Sequence, residues 1–254
     1  MRFASLVRRT MFAAVAACSS KPTGRTVRVA AASDLSKAFE EVAKQFRART
    51  GITPDIVYGS SGVLAKQIEQ GAPFFLFAAA NQRFVQNAVD SGRCDGASAT
   101  LYARGRIGVW TRDGIAPPAS LAELGDPRFK RIAIANPEHA PYGAAASQAL
   151  RKLGLWSRIE DRIVLAENVS EATRWAGTGN VEAAVTARSL AAVADGGTFL
   201  AIDPELHDPL DQQMVVCGSG EEADAARQLA AFISSRDGRA IMARFGFSLP
   251  DSKQ

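Results

Sequence analysis

From residue 26 onward the chain repeats one local theme, a short apolar run followed at once by a segment with helical spacing. "TVRVAAA" is nearly continuous in small and β-branched residues. It leads directly into "SDLSKAFEEVAKQFRART", where Leu35, Phe39, Val42, Ala43 and Phe46 recur on one helical face. "TPDIVYG" with "SGVLAKQIEQ", and "FFLFAAA" with "NQRFVQNAVDSG", repeat the pair. An apolar run without alternation belongs to a strand buried on both faces, and a helix is the usual crossover between parallel neighbours. The pattern therefore dictates an α/β fold, with mixed, mostly parallel sheets flanked by helices. Further along, "RIGVWTR", "RIAIAN", "RIVLAEN" and "VEAAVTA" read as strands, and "YGAAASQALRKLGLW" and "VSEATRWAGTG" as helices. After "GTFLAIDPELHDPL" come a strand, "DQQMVVCGS", and two helices, "EEADAARQLAAFISSRDG" and "RAIMARFGF". At 254 residues the chain has room for two modest α/β units, the first taking back the C-terminal helices and the second filling the middle. Pattern alone does not fix how often the chain passes between them.

Hydrophobic residues at 47% and charged residues at 22% exclude a disordered chain. The net charge of +4 comes from 30 basic and 26 acidic residues, and Arg8 and Arg9 supply part of it. No concentrated basic stripe exists, so nucleic acid is not an expected partner. "MRFASLVRRTMFAAVAACSS" has a positive front and a short apolar run over residues 11–17, the form of an export signal. That run is too short to cross a bilayer. Cys18 after two alanines resembles a lipobox, which leaves lipidation at Cys18 and plain secretion both open. In the remainder, Cys94 and Cys217 either pair or stand as separate thiols, and their spacing does not decide between these. With no CxxC or HExxH and only His139 and His207, a protein-ligated zinc or haem is not expected, and no cofactor is.

Small polar residues gather where strands end. Ser33 follows the first strand and Gly59-Ser60-Ser61-Gly62 follows the second. Ligands of open parallel sheets bind beyond the carboxyl ends of the strands, where helix N-termini present unpaired N–H groups to an anion. A serine before a helix is also a common cap, which contributes about 1 kcal/mol, so the residues alone leave both roles open.

"VRVAAASDLSKAF", "YGSSGVLAKQIEQGAP", "NPEHAPYGAAASQALRKLGLW" and the closing "ARFGF" resemble, in order, the molybdate-binding periplasmic proteins of bacterial ABC importers. The resemblance implies a two-lobed type II periplasmic-binding-protein fold. Residues 1–25 would be export signal and tail, 26–105 the first part of lobe 1, 106–210 lobe 2, and 211–254 the return to lobe 1. It implies capture of molybdate or tungstate in an interlobe cleft by uncharged donors, delivery to a membrane permease of an ABC importer, and a monomer in the periplasm or on the outer face of the cytoplasmic membrane. Membrane contact would run only through lipid on Cys18.

Carried across position by position, the resemblance places Ser33, Ser61, Tyr142, the backbone amide of Val169 and Thr186 at the ligand. These are expected as contacts to the oxyanion's oxygens, not as ligands to its metal. Thr186 stands where several relatives have a tyrosine, and the Tyr142 phenol is expected to make up the missing donor. One alignment puts Asp34 in place of Ser33, but an ionised Asp34 would repel the guest, so Ser33 is preferred and Asp34 is expected to turn to solvent or cap the following helix. A donor-only site of this kind would reject a protonated oxyanion such as phosphate. Three positions depart from the family: in "GAPFFLFAAAN", Phe75, Ala79 and Asn81 replace aspartate, serine and aspartate. Phe75 is expected to place its ring near the domain crossing. Ser33, Ser61 and His139 with Asp34 or Asp126 would be the components of a triad, but "YGSSGV" is not a nucleophile elbow, and no catalytic residue is expected. The alternatives within the same fold are a binding protein for another anion and a ligand sensor.

Overall fold

The computed structural model describes residues 25–248; the export segment with Arg8, Arg9 and Cys18 lies outside them. The chain begins with β1 (Thr26–Ala32), α1 (Ser36–Thr50), β2 (Thr53–Gly59), α2 (Ser61–Glu69), β3 (Leu76–Ala79) and α3 (Gln82–Asp90). β4 (Thr100–Gly105) and β5 (Ile107–Arg112) follow. Next come β6 (Ile132–Ala135), α4 (Pro141–Lys152), α5 (Trp156–Ile159), β7 (Ile163–Ala166) and α6 (Val169–Gly177). The remainder is β8 (Ala183–Ala187), α7 (Arg188–Ala191), β9 (Gly197–Ala201), β10 (Leu210–Val216), α8 (Glu221–Ser234) and α9 (Arg236–Arg244).

Two sheets form, ordered β2-β1-β3-β10-β4 and β7-β6-β8-β5-β9. In the first, β10 runs antiparallel to both neighbours and the other strands share one direction. In the second, β5 plays the same part. Each sheet is thus mostly parallel with one reversed strand. The chain passes from the first sheet to the second between Gly105 and Ile107, and returns between Ala201 and Leu210.

Both faces of the first sheet are covered. α1 lays Phe39, Val42 and Phe46 against Val27, Val29 and Ala31, and α2 and α3 lay Leu64, Ile68 and Phe84 against Ala30 and Phe77. Each fully buried Phe or Leu contributes roughly 1.5–3 kcal/mol of transfer free energy, which is why the 3.6-residue pattern decides these helices. α1 stops at Gly51, whose φ of 73° is the left-handed conformation of a helix C-terminus. In the second sheet α4 packs Ala145, Ala146 and Ala149 on one face, and α6 packs Ala172 and Ala176 on the other.

Several local expectations change. Residues Ser33–Leu35 form a separate 3-10 turn before α1, and neither Ser33 nor Asp34 caps a helix through its side chain. β4, built from "TLYARG", does not stand out in the sequence because its polar positions alternate irregularly. The last two helices divide at Ser235, whose hydroxyl accepts from the Gly238 N–H at 3.3 Å, three residues before the expected break. Cys94 and Cys217 form a disulfide that ties the segment after α3 to the end of β10. Phe75 lies beside it, its ring against Gly218, at the end of β3 away from the chain crossing. The expectation of an apolar ring near the crossing is corrected accordingly: the position precedes β3, and the site lies beyond the strand's other end.

Candidate functional site

A small cavity lies between the two sheets, beyond the carboxyl ends of β1, β2 and β3. Ser33, Ser61, Tyr142 and Val169 all line it, although they come from two lobes and four separate stretches of chain. No lysine, arginine or histidine is among the lining residues. The cavity is therefore walled by small neutral groups, with Asp34 as the single ionisable carboxyl. A larger cavity of about 220 Å³ adjoins it across Pro141, but its wall carries the charged Arg83 and Asp208 beside the amides of Asn81 and Gln148, and none of the serines at the strand ends.

Ser61 is the first residue of α2, and Ser60 before it makes no side-chain cap. The Ser61 hydroxyl accepts from the Ala80 N–H at 3.0 Å. Its own proton is left to donate, and because the N–H it accepts from follows β3 rather than belonging to α2, the hydroxyl is not a cap. Ser60 Oγ shares a 2.8 Å hydrogen bond with Nδ1 of His139, and the Gly62 N–H donates to the His139 carbonyl at 2.9 Å. His139 thus joins the two lobes at the rim of the cavity. A Cβ on Gly62 would sit 2.7 Å from that carbonyl oxygen, so only glycine lets α2 approach the loop before α4 this closely.

Val169 opens α6, so its N–H has no acceptor within the helix. Asn168 caps the same end by accepting from the Glu171 N–H at 3.1 Å. Thr186 lies elsewhere: it is fully buried on β8 and does not line the cavity. Its hydroxyl is hydrogen-bonded to that of Thr173, which donates to the Val169 carbonyl at 2.7 Å. With the Thr173 proton so engaged, Thr186 is the donor of that pair. The chain Thr186, Thr173, Val169 anchors the first turn of α6.

Asp34 neither faces solvent nor caps a helix. It is fully buried, and its Oδ2 accepts from the Tyr142 hydroxyl at 2.9 Å and from Gln212 Nε2 at 2.7 Å. Its Oδ1 has no hydrogen-bond partner among the described residues. Burial raises the carboxyl from its ordinary 3.8 to about 7, against the opposing pull of the hydrogen bonds from Tyr142 and Gln212. Burial, then the neighbouring Asp34, push the Tyr142 phenol well above its usual range, so it stays neutral. Its one proton goes to Asp34, and the phenol is not the spare donor that the sequence suggests. Nor is the wall made of donors alone, since an ionised Asp34 is an acceptor. Gly105, at the chain crossing, makes room for this pair: a Cβ there would lie 2.2 Å from the Tyr142 hydroxyl oxygen.

Two further hydroxyls of the second lobe reach across. Ser170 donates to the Ser33 carbonyl and Ser189 to the Asp34 carbonyl, each at 2.8 Å. Sequence reasoning missed Ser170, Ser189 and Gln212. Gln212 alone leaves a trace, as a polar residue within the strand "LDQQMVV", and the fold buries it fully.

A pair of α/β lobes, crossed by the chain between their sheets and meeting around neutral polar groups, defines a binding protein that encloses a small solute. The chain belongs to the bacterial extracellular solute-binding protein family, whose model matches residues 27–248. It is 31% identical to the molybdate-binding protein ModA of Rhodobacter capsulatus over 224 residues, 87% of each chain. To ModA of Azotobacter vinelandii it is 29% identical over 240 residues, 93% of this chain and 94% of that one. The solved periplasmic molybdate-binding protein of Azotobacter vinelandii superposes with a TM-score of 0.83 at 29% identity, covering 89% of this chain and 100% of that one. Membership of this family makes the protein an extracytoplasmic carrier rather than an enzyme.

Proposed function

We propose that the protein captures molybdate or tungstate between its lobes and delivers it to the membrane permease of an ABC importer. The observation that carries this reading is the single cavity that collects Ser33, Ser61, Tyr142 and Val169 without any basic side chain. A multiply charged tetrahedral anion in such a place loses its water and needs a replacement for it. Hydroxyls and helix-terminal N–H groups supply hydrogen bonds, and closure of the lobes strengthens each by excluding water. Ser61 and the Val169 amide donate to the anion's oxygens. Tyr142 positions Asp34 at the cavity wall, and Thr186 acts through Thr173 by holding Val169 in place. Separation of the larger metal oxyanions from sulfate is assigned to the room the lobes leave once the anion is enclosed between them. The protein works as a monomer, held at the membrane where Cys18 carries lipid.

Thermal denaturation of the mature protein with and without each anion tests the reading, because a ligand that binds only the folded state raises its apparent stability. At a hundredfold excess over Kd the gain is about 2.7 kcal/mol. Molybdate and tungstate are expected to raise Tm, and equal concentrations of sulfate to raise it less. Unchanged melting with both metal oxyanions would overturn the proposal.

A further inference from the structure

Asp34 is a buried carboxyl with no counter-ion, at the wall of the cavity that the proposed function fills with an anion. Among the described residues none of the ion pairs includes it. The groups facing it from neighbouring elements are the phenol of Tyr142 on α4, that of Tyr102 on β4, and the neutral amide of Gln212 on β10. Lys37 pairs with Glu40 on α1, Arg104 with Asp211 between β4 and β10, and Arg174 with Glu171 on α6. Arg188 on α7 lies against Gly246. The Asp34 Oδ2 is fully engaged by Tyr142 and Gln212, while Oδ1 is buried without a partner.

We propose that Asp34 holds a proton when the oxyanion is bound, so that binding takes up one proton at this carboxyl. The inference rests on the oxyanion reading given above. An ionised Asp34 next to a doubly charged guest would place three negative charges in one dehydrated space without a cation, which is far costlier than protonating one of them. Protonation on Oδ1 leaves the bonds from Tyr142 and Gln212 to Oδ2 intact. It also converts the unpartnered acceptor into a donor, and the wall then consists of donors. The balance is one dianion, one carboxylate and one proton entering a complex of net charge −2. The direction of the Asp34 shift, upward through burial, agrees with this.

The test is calorimetric titration with molybdate between pH 6.5 and 8.5, in two buffers of different ionisation enthalpy, on the parent and on Asp34→Asn. Asparagine keeps an oxygen for Tyr142 and Gln212 and puts an N–H₂ donor at the position of Oδ1. In the parent, affinity is expected to fall toward tenfold per pH unit above neutrality, with proton uptake near one per anion at pH 8. In Asp34→Asn, affinity is expected to be independent of pH and to exceed the parent's at pH 8.5. Parent affinity that stays within twofold across the range, with no proton uptake, would overturn the proton linkage while leaving the oxyanion site standing. Binding of no oxyanion by the parent at any pH would sink both. The proton count on the parent decides the matter even if the variant fails to fold.

Discussion

The two lobes share a strand order yet contribute differently to the cleft. In each, three parallel strands are followed by a reversed strand and a fifth in the original direction, so the same strand ends and helix starts face the gap. The first lobe brings the hydroxyls of Ser33, Ser60 and Ser61 and the one carboxyl, Asp34. The second brings neutral groups that answer them: the Tyr142 phenol to the Asp34 carboxyl, and the hydroxyls of Ser170 and Ser189 to backbone carbonyls of the Ser33–Asp34 turn. Nearly everything that crosses the gap converges on two short stretches of the first lobe, residues 33–34 and 60–62. Common topology supplies the geometry; the electrostatics are one-sided. The contacts between the lobes therefore centre on what the first lobe's turns carry, above all on residues 33–34.

Replacing that carboxyl is the severest challenge to this asymmetry. A folded-state value of about 7 against 3.8 means that stability is complete below pH 3.8 and is lost as pH rises through 7. The cost of keeping Asp34 buried and ionised is on the order of 4 kcal/mol at pH 8. Asp34→Asn does not titrate, so its stability relative to the parent is expected to grow across that window in urea unfolding curves. A constant difference from pH 4 to 8 would place Asp34 in contact with water. The disulfide, which belongs to the first lobe alone, comes next. Cys94→Ser with Cys217→Ser is expected to cost about 3 kcal/mol of unfolding free energy, the middle of the range of about 2–4 kcal/mol usual for a disulfide. Because the bridge lies at the end of β3 away from the cleft, molybdate affinity at a temperature where the variant is folded should stay within twofold.

Gly62→Ala addresses the contact between lobes. Its methyl group would meet the His139 carbonyl oxygen at 2.7 Å where the lobes touch, whereas a helical alanine suits α2 by itself. Overpacking of this kind costs roughly 1–3 kcal/mol. Molybdate affinity should drop about tenfold to a hundredfold by titration, while Tm without ligand is unchanged or rises. A parallel loss of both would mean that the two lobes are not separable in closure. Ser170→Ala, the mildest change, removes one neutral bond to the Ser33 carbonyl, worth about 1 kcal/mol, and should weaken binding about fivefold.

The layers were legible in the sequence because each helix repeats a 3.6-residue apolar stripe directly after a buried run, as at Phe39, Val42 and Phe46 behind β1. Ser33 and Ser61 were legible as residues at strand ends, and Tyr142 and Val169 only through likeness to relatives. What stayed hidden depends on contacts far apart in the chain. The Asp34 partners Tyr142 and Gln212 are 108 and 178 residues away, so its burial does not show in a local pattern that favours a cap or solvent. Thr186 is carried to the site only by resemblance, and its short side chain, with Thr173 beside it, bonds within its own lobe. The Cys94–Cys217 pairing spans 123 residues and rests on the antiparallel bridge between those two positions, which spacing does not disclose.

Whether spare hydroxyl protons of the first lobe hold the captured anion is decided by titrating the parent and Ser61→Ala with molybdate side by side, with melting curves to correct for the Ala80 N–H left without its acceptor. Hydrogen bonds to charged groups contribute about 1.5–3 kcal/mol, so the variant should bind roughly tenfold to a hundredfold more weakly than the parent. Equal affinity in the two proteins would remove Ser61 from the anion and contradict the account.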